Sequence, residues 1–240
     1  MSHELSTASV LKLCSFVFWG WSYIYSSNNS PSKSPEWHSR VVTLVHGSVA
    51  TIVGIHQCGM TSVDRCRLTS EYALMVWSWG YFAFDLLWCL IYSSDNYVIL
   101  LHHLVALIAV NIYMSKDYAG CTFACTLVLM EITNPFLQTR WLLRYEGYGQ
   151  TILFYLVEII YFVMFLTIRA GFCTYLMFEM LNSDILDTDE KIISLSLYIV
   201  SLVLVYEILS YVNYKYKNKI EQFKGFANEV GIVIDLNELP

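Results

Sequence analysis

Charged residues are scarce in this chain of 240 residues, where Asp, Glu, Lys and Arg together make up only 14%. Soluble domains carry about 25% charged residues, so a soluble chain of this composition could not cover its own surface. Hydrophobic residues reach 56% and the mean hydropathy is +0.49, which excludes an intrinsically disordered chain. The composition therefore indicates a polytopic membrane protein.

Long basic runs are also absent, and the net charge is −6, so we expect no nucleic-acid partner. The first ten residues lack the basic segment that opens a secretory signal, so the apolar stretch after them is predicted to be a membrane helix. One cationic cluster follows the last apolar segment, and we interpret it as a solvated helix end or a contact with lipid headgroups. Its members are Lys215, Lys217, Lys219 and Lys224.

The seven cysteines are scattered and form no metal-binding pattern. Cys121 and Cys125 stand one helical turn apart, but no His or carboxylate nearby completes a metal set, so we expect simple apolar packing. Cys58 and Cys66 flank a short loop and could form a disulfide if that loop is lumenal. We predict no metal site and no cofactor.

Seven segments are long and apolar enough to be predicted as membrane spans, which need about 20 mostly apolar residues. They are roughly 8–26, 39–58, 71–92, 97–114, 118–137, 150–180 and 192–214. The sixth is long enough to tilt, or to break near residues 169–171 into a span and a re-entrant piece. The predicted fold is all-α, an integral membrane bundle of about seven transmembrane helices around a central cavity, with neighbouring spans antiparallel because the loops are short.

Lys and Arg set the predicted orientation. A cytosolic C-terminus places eight of these residues in cytosolic segments and four on the other side, so we predict a lumenal N-terminus. The glycosylation sequon at residues 28–30 would then be cytosolic and unused. The predicted organisation is an N-terminal helix and polar loop (1–35), a membrane domain (36–214) and a cytosolic tail (215–240).

Ionisable residues inside the predicted spans are the candidates for function. A charge at the bilayer centre costs about 2.5–3.5 kcal/mol, so such residues normally face the bundle interior. Taken singly, Glu158, Glu179 and Glu207 are interpreted as helix-to-helix hydrogen-bonding groups. The residues in this class are His46, Asp85, His102, His103, Glu131, Glu158, Arg169 and Glu207.

Helical spacing sorts some of these residues into stripes. Glu131, Asn134 and Gln138 stand at i, i+3 and i+7, which predicts one polar face in the fifth span. Pro135 interrupts the same helix and frees a backbone carbonyl beside that face.

A shared polar site is predicted from three consecutive spans, which carry Asp85, the adjacent pair His102 and His103, and Glu131. Adjacent helical residues point about 100° apart, so at most one of the two histidines can aim straight into a central cavity. Histidine titrates near neutral pH and can act as a general base or a nucleophile. Tyr81 shares a stripe with Asp85.

Four motifs carry a resemblance to a known family. They are EWHSRVVTLVHG (36–47), GYFAFDLLWC (80–89), LLHHLVALIAV (100–110) and MEITNPFLQTRW (130–141). Together they resemble the TLC-domain family, which includes the ceramide synthases and the translocating-chain-associated membrane proteins. The resemblance runs from Glu36 to Tyr214, and within the family it is strongest to the small TLC domain-containing proteins.

The resemblance implies a helix bundle around a lipid-sized cavity in an internal membrane, with the endoplasmic reticulum expected. In ceramide synthases the tandem histidine lies in that cavity and a later span carries an HDxxD pattern. Residues 130–134 stand in its place, with Met130 for the His, Glu131 for the first Asp and Asn134 for the second. Only Glu131 keeps acid character, and a neutral amide cannot supply the charge of a carboxylate beside a reacting His.

The first functional hypothesis is therefore a protein that binds or handles an acyl lipid and influences membrane lipid composition. The second is a ceramide-synthase-like N-acyltransferase that uses acyl-CoA as co-substrate. One of His102 and His103 would deprotonate the amine or take the acyl group, and Asp85 or Glu131 would orient the imidazole. The third is a sorting or translocation accessory protein of the secretory pathway. Expected lipid contacts are His46, Tyr81, Asn134, Gln138, Arg140 and Glu158.

A membrane lipid or acyl chain is thus the expected partner, and the chain could also form a homodimer. A seven-helix receptor fits the predicted number of spans, but the motifs point elsewhere.

Overall fold

The structure is a computed structural model, and it describes residues 2–59, 68–92, 97–116, 120–184 and 186–229. Every element within these ranges is helical. A π-helical segment, Thr167–Phe172, joins α7 to α8. The helices are α1 (Ser2–Asn29), α2 (Pro35–Gly59), α3 (Leu68–Ile91), α4 (Tyr97–Met114), α5 (Gly120–Glu131), α6 (Asn134–Tyr145), α7 (Ile152–Leu166), α8 (Cys173–Asn182) and α9 (Thr188–Glu229).

Five helical stretches in the described part of the chain are long and apolar enough to cross a membrane. Each of the seven predicted segments overlaps a helix in the described part of the chain, but the predicted count of seven spans is not confirmed. The first segment lies on α1, which is long but rich in serine. The fifth is divided between α5 and α6, each of only 12 residues. The five stretches are Pro35–Cys58, Tyr72–Ile91, Tyr97–Met114, Ile152–Asn182 and Thr188–Lys217.

The break between α5 and α6 confirms the prediction from Pro135. Pro lacks a backbone N–H and restricts the residue before it, so a helix cannot run unchanged through this position. The structure ends α5 at Glu131 and restarts the helix at Asn134, with Pro135 in its first turn, where the missing N–H is harmless. The stripe from Glu131 to Gln138 therefore spans a helix break.

The sixth predicted segment changes helix type where the sequence suggested a break. The π-helical residues 167–172 include Arg169 and Gly171, but the chain stays helical through them and runs on into α8. The stretch from Ile152 to Asn182 is long and apolar enough to be one membrane span. Short π-helical segments inside α-helices frequently mark functional positions.

Glycines bring α2 close to α5 and α6. A Cβ atom on Gly54 would lie 2.5 Å from Val128 Cγ2, and one on Gly47 would lie 3.2 Å from Asn134 Cβ. Small residues let membrane helices approach closely enough to exchange polar contacts. This close approach places Gly47 beside the polar face of α5 and α6.

A disulfide joins the same two helices between Cys58 and Cys125. The expectation that Cys125 only packs as an apolar residue is therefore wrong. The suggested partner of Cys58 was Cys66, which lies outside the described residues. Pairing across 67 positions of sequence depends on helix neighbours that spacing alone does not reveal.

Two buried apolar clusters hold the bundle together. The larger cluster includes Trp19, Tyr81 and Tyr113. It contains side chains from each of the first five helices and from α8 and α9. The smaller includes Tyr161 and Val205 and lies between α7 and α9. The predicted central cavity is not confirmed. Among the described residues we find an apolar cleft of about 20 Å³ between α5, α8 and α9, and an open groove of about 370 Å³ between α1 and α3.

Candidate functional site

The pair formed by His103 and Asp85 joins α4 to α3 in the bundle. His103 Nε2 lies 3.1 Å from Asp85 Oδ2, and both side chains are largely buried. The Tyr81 hydroxyl, one helical turn before Asp85, lies 3.3 Å from the same carboxylate oxygen and 3.0 Å from Thr43 Oγ1. A carboxylate that accepts an imidazole N–H fixes the tautomer and orientation of the ring. With Nε2 of His103 at the carboxylate, Nδ1 is the ring nitrogen left for another partner.

His46 completes this group from α2. Its ring stacks on Tyr81 with 3.8 Å between centroids and 7° between planes. Trp19 packs edge-on against both rings. His46 is 0% exposed, and neither ring nitrogen has a hydrogen-bond partner. Such unpaired buried polar atoms are rare in proteins and call for an explanation.

The two adjacent histidines have different neighbours in the structure. The ring centroids of His102 and His103 are 5.5 Å apart, with an angle of 62° between the ring planes. His103 faces Asp85, whereas His102 lies within electrostatic reach of Arg169. Nδ1 of each histidine is buried without a hydrogen-bond partner. We call His46, Tyr81, Asp85, His102 and His103 the histidine centre.

The predicted polar stripe forms a continuous hydrogen-bonded chain. Asn134 Nδ2 donates to Glu131 Oε2 at 2.9 Å, and Gln138 Nε2 donates to Asn134 Oδ1 at 2.8 Å. Arg40 of α2 donates to Gln138 Oε1 at 3.2 Å, and it also pairs with the exposed Glu36. The chain therefore runs from the surface end of α2 to the buried carboxylate of Glu131.

Arg169 is a buried cation that was not among the predicted site residues. It is 5% exposed and donates to the Met130 carbonyl oxygen at 2.6 Å, to Met130 Sδ at 2.7 Å and to Ser201 Oγ at 3.3 Å. The break after Glu131 leaves carbonyls at the end of α5 open to such donors. A charged side chain within a predicted membrane span is costly, and that signal could have singled out Arg169.

Glu158 and Arg140 belong to a separate group. Glu158 is 0% exposed, and its carboxylate accepts from Arg140 Nε at 2.7 Å, from Lys215 Nζ at 2.5 Å and from the Tyr216 hydroxyl. Arg140 also donates to the Tyr211 hydroxyl at 2.9 Å. We call these five residues the Glu158 cluster. The hydrogen bonds and ion pairs described for it reach α6, α7 and α9, and none reaches a histidine.

The interpretation of Lys215 as a residue of a solvated helix end is therefore incomplete. Lys215 is not simply part of a solvated helix end, because its ammonium group pairs with the buried Glu158. The helix α9 carries it there by continuing beyond the predicted domain boundary to Glu229. The side chains of Lys219 and Lys224 lie outside the described ones.

Within the described ranges, two groups of side chains have the spacing of metal ligands. Asp85, Cys89 and His103 each place one ligand atom within 4.8 Å of the others. Metal-bound histidines almost always donate their second nitrogen to an acceptor, but Nδ1 of His103 has none, which favours the His–Asp pair over a metal. The second group is Asp187, Asp189 and Glu190, and here Lys116 forms ion pairs with Asp187 and Asp189 at 2.5 and 3.3 Å.

Comparison with known proteins now places the chain. The family model of the TLC domain matches residues 36–214, which is most of the chain. The protein therefore belongs to the TLC-domain family of integral, multi-pass membrane proteins. No solved structure matches it.

Proposed function

We propose that this protein binds an acyl lipid within its helix bundle and influences the lipid composition of its membrane. The observation that supports the proposal is the set of unpaired nitrogens in the histidine centre. His46, His102 and His103 together carry four buried ring nitrogens without a hydrogen-bond partner. Polar atoms of this kind, surrounded by apolar helices, suit the polar end of a lipid whose chain packs against those helices.

The groove between α1 and α3 offers one place for such a chain. Its volume of about 370 Å³ is within the range of ligand pockets, and its lining is almost entirely apolar. Phe18 and Trp77 line it and pack against Trp19, which in turn contacts His46. One layer of aromatic rings therefore lies between the groove and the histidine centre.

The proposal is tested by purifying the protein in mild detergent and identifying retained lipids by mass spectrometry. We expect a defined acyl lipid in the wild type and at least about tenfold less in the double variant His102→Ala/His103→Ala. His56→Ala is the matched control, because His56 is exposed on α2. Equal retention in all three proteins, or no enriched lipid in any, would refute the proposal.

A second candidate is acyl transfer from acyl-CoA to an amine, favoured by the 3.1 Å contact between His103 and Asp85. In that reaction the amine attacks the thioester carbonyl, an N–C bond forms and the C–S bond breaks. His103 Nδ1 takes the amine proton and passes it to the departing thiolate, while Asp85 stabilises the imidazolium. Release of free coenzyme A that requires His103 would support this candidate over simple lipid binding.

Membership within the family and the location of the protein are part of the same proposal. On its EWHSRVVTLVHG and MEITNPFLQTRW motifs, we place it with the small TLC domain-containing proteins, nearest to the fifth of them. We propose the endoplasmic reticulum as its membrane, with a lumenal N-terminus and a cytosolic C-terminus. The disulfide between Cys58 and Cys125 supports this orientation, because that end of the bundle would then face an oxidising compartment.

Glycosylation tests the orientation. A sequon introduced between residues 60 and 67 should be glycosylated, whereas the natural sequon at 28–30 should not. The opposite result would reverse the orientation without affecting the proposal on lipid binding.

A further inference from the structure

Arg169 carries a positive charge into the bundle without a matching ion pair. Its contacts go to a carbonyl oxygen, a thioether sulfur and a hydroxyl, all of them neutral. None of the ion pairs among the described residues involves it. Glu131 acts on its charge only through space, and that carboxylate already accepts a hydrogen bond from Asn134. Buried charges in membrane helices are normally paired or serve a function.

The guanidinium also has donors to spare. Arginine has five N–H donors in a fixed fork, and the three contacts of Arg169 use three of them. Its Nε is buried and has no hydrogen-bond partner. An incoming carboxylate could therefore bind this group without displacing any of its present contacts, since such oxygens match the planar fork of arginine.

An apolar cleft shares Met130 with the contacts of this cation, although Arg169 itself is not one of the residues that line the cleft. Met130, whose carbonyl contacts Arg169, and Cys173, one helical turn after it, both line the cleft between α5, α8 and α9. Its volume is about 20 Å³, enough for only one water-sized group. Three of its lining residues are methionines, Met130, Met177 and Met180, and their unbranched side chains readily change shape around a ligand.

The geometry points to a binding site for a free long-chain fatty acid, with its carboxylate on Arg169 and its chain between α5, α8 and α9. Charge complementarity selects the carboxylate, and the apolar lining with its three methionines selects the chain. The inference goes beyond the proposed function, because this site lies at Arg169 and the cleft, not at the histidine centre and the groove between α1 and α3. It differs in requiring an acid group, which a neutral acyl lipid lacks.

Equilibrium binding of two radiolabelled probes tests the inference on the purified full chain in neutral detergent. The probes are a 16-carbon saturated fatty acid and its methyl ester, which share the chain but not the charge. Wild-type protein should bind the acid at least about tenfold more tightly than the ester, because a hydrogen bond to a charged group is strong where water is excluded. Arg169→Gln should lose this preference while still binding the ester, and Arg169→Lys should keep part of it.

Two further variants serve as controls. Arg144→Gln makes the same change at an exposed position on α6 and should bind both probes as the wild type does. Met177→Trp fills the cleft while leaving Arg169 in place, and should weaken binding of the 16-carbon acid more than that of an 8-carbon acid. The wild-type comparison needs no variant, so it decides the question even if Arg169→Gln fails to fold.

The outcomes separate this inference from the proposed function. Equal binding of acid and ester by the wild type would overturn the site on Arg169 and leave acyl-lipid binding intact. Binding of neither probe, together with no retained lipid, would overturn both. A preference for the acid that survives Arg169→Gln would also overturn the inference, because another cation would then hold the carboxylate.

Discussion

Glu158 and Asp85 are both carboxylates buried in the helix bundle, but their surroundings differ. Glu158 accepts from Arg140, Lys215 and Tyr216, so its negative charge faces two cations and a hydroxyl. In the described part of the chain, the carboxylate of Asp85 has polar contacts to neutral Tyr81 and to the imidazole of His103, close to histidine nitrogens that have no partner. A fully paired cluster holds helices together, whereas an incompletely paired one retains the capacity to bind or react. We therefore propose that the Glu158 cluster serves stability and that the histidine centre serves ligand binding.

The largest effect on stability is expected from Glu158→Gln. The change keeps the shape of the side chain but leaves the cations of Arg140 and Lys215 without their counter-charge. Breaking a buried ion pair in this way costs about 3–5 kcal/mol. The melting temperature in detergent should fall markedly, while any protein that stays folded should still retain lipid. Glu179→Gln, the same change at an exposed position of α8, should leave the melting temperature unchanged.

The second prediction concerns the disulfide that joins α2 to α5. These two helices carry His46 and Glu131. Replacing both Cys58 and Cys125 by Ser removes a link across 67 positions, which we expect to cost about 2–4 kcal/mol. Lipid retention should fall in this variant more than in Glu158→Gln. Cys14→Ser is the control, because Cys14 is a free and exposed cysteine. An unchanged melting temperature under oxidising conditions would contradict the expectation.

The third prediction is a small loss of stability with a large loss of lipid retention, the opposite of the first prediction. Asp85→Asn keeps a hydrogen-bond acceptor for His103, so the loss of stability should be only about 1 kcal/mol. Lipid retention or acyl transfer should nevertheless fall strongly, because the charge that orients the imidazole is gone. If Asp85→Asn unfolds the protein as severely as Glu158→Gln, the distinction between the two clusters fails.

The smallest effect is expected at the exposed pair of Lys33 and Glu146, outside both clusters. Hydrogen bonds from Lys33 at 2.6 Å and from Trp37 at 2.9 Å hold the pKa of Glu146 below its ordinary value of 4.5. A carboxyl with a lowered pKa stabilises the fold above its unfolded pKa and loses that contribution as the pH falls through the folded one. The melting temperature should thus decline slightly below about pH 4.5, and by less in Glu146→Gln.

Several features of this protein follow from its sequence because they depend on composition or on neighbours along one helix. Scarce charge and long apolar segments are sufficient to predict a membrane helix bundle. Pro135 predicts the interruption between α5 and α6, since the ring removes a hydrogen bond at that position in any fold. The spacing of Glu131, Asn134 and Gln138 predicts a shared face that the structure joins by hydrogen bonds. The motifs predict the family.

Contacts between helices were decided only by the tertiary structure. The sequence left open which of His102 and His103 faces inward, and the structure pairs His103 with Asp85 because α4 packs on α3 in one rotation. The sequence suggested Cys66 as a partner for Cys58, whereas the packing of α2 on α5 pairs Cys58 with Cys125.

The ion pairs between helices could not be predicted from the sequence either. Sequence analysis grouped Glu158 with the lipid contacts, whereas α9 brings Lys215 to it from 57 positions away. It left Arg169 out of the predicted site, since no spacing shows that its neighbours are neutral. Local periodicity tells which residues share a face of one helix, but not which faces meet. Which faces meet depends on how side-chain ridges, glycines and side-chain volumes fit together over the whole bundle. It is therefore seen only in the folded chain.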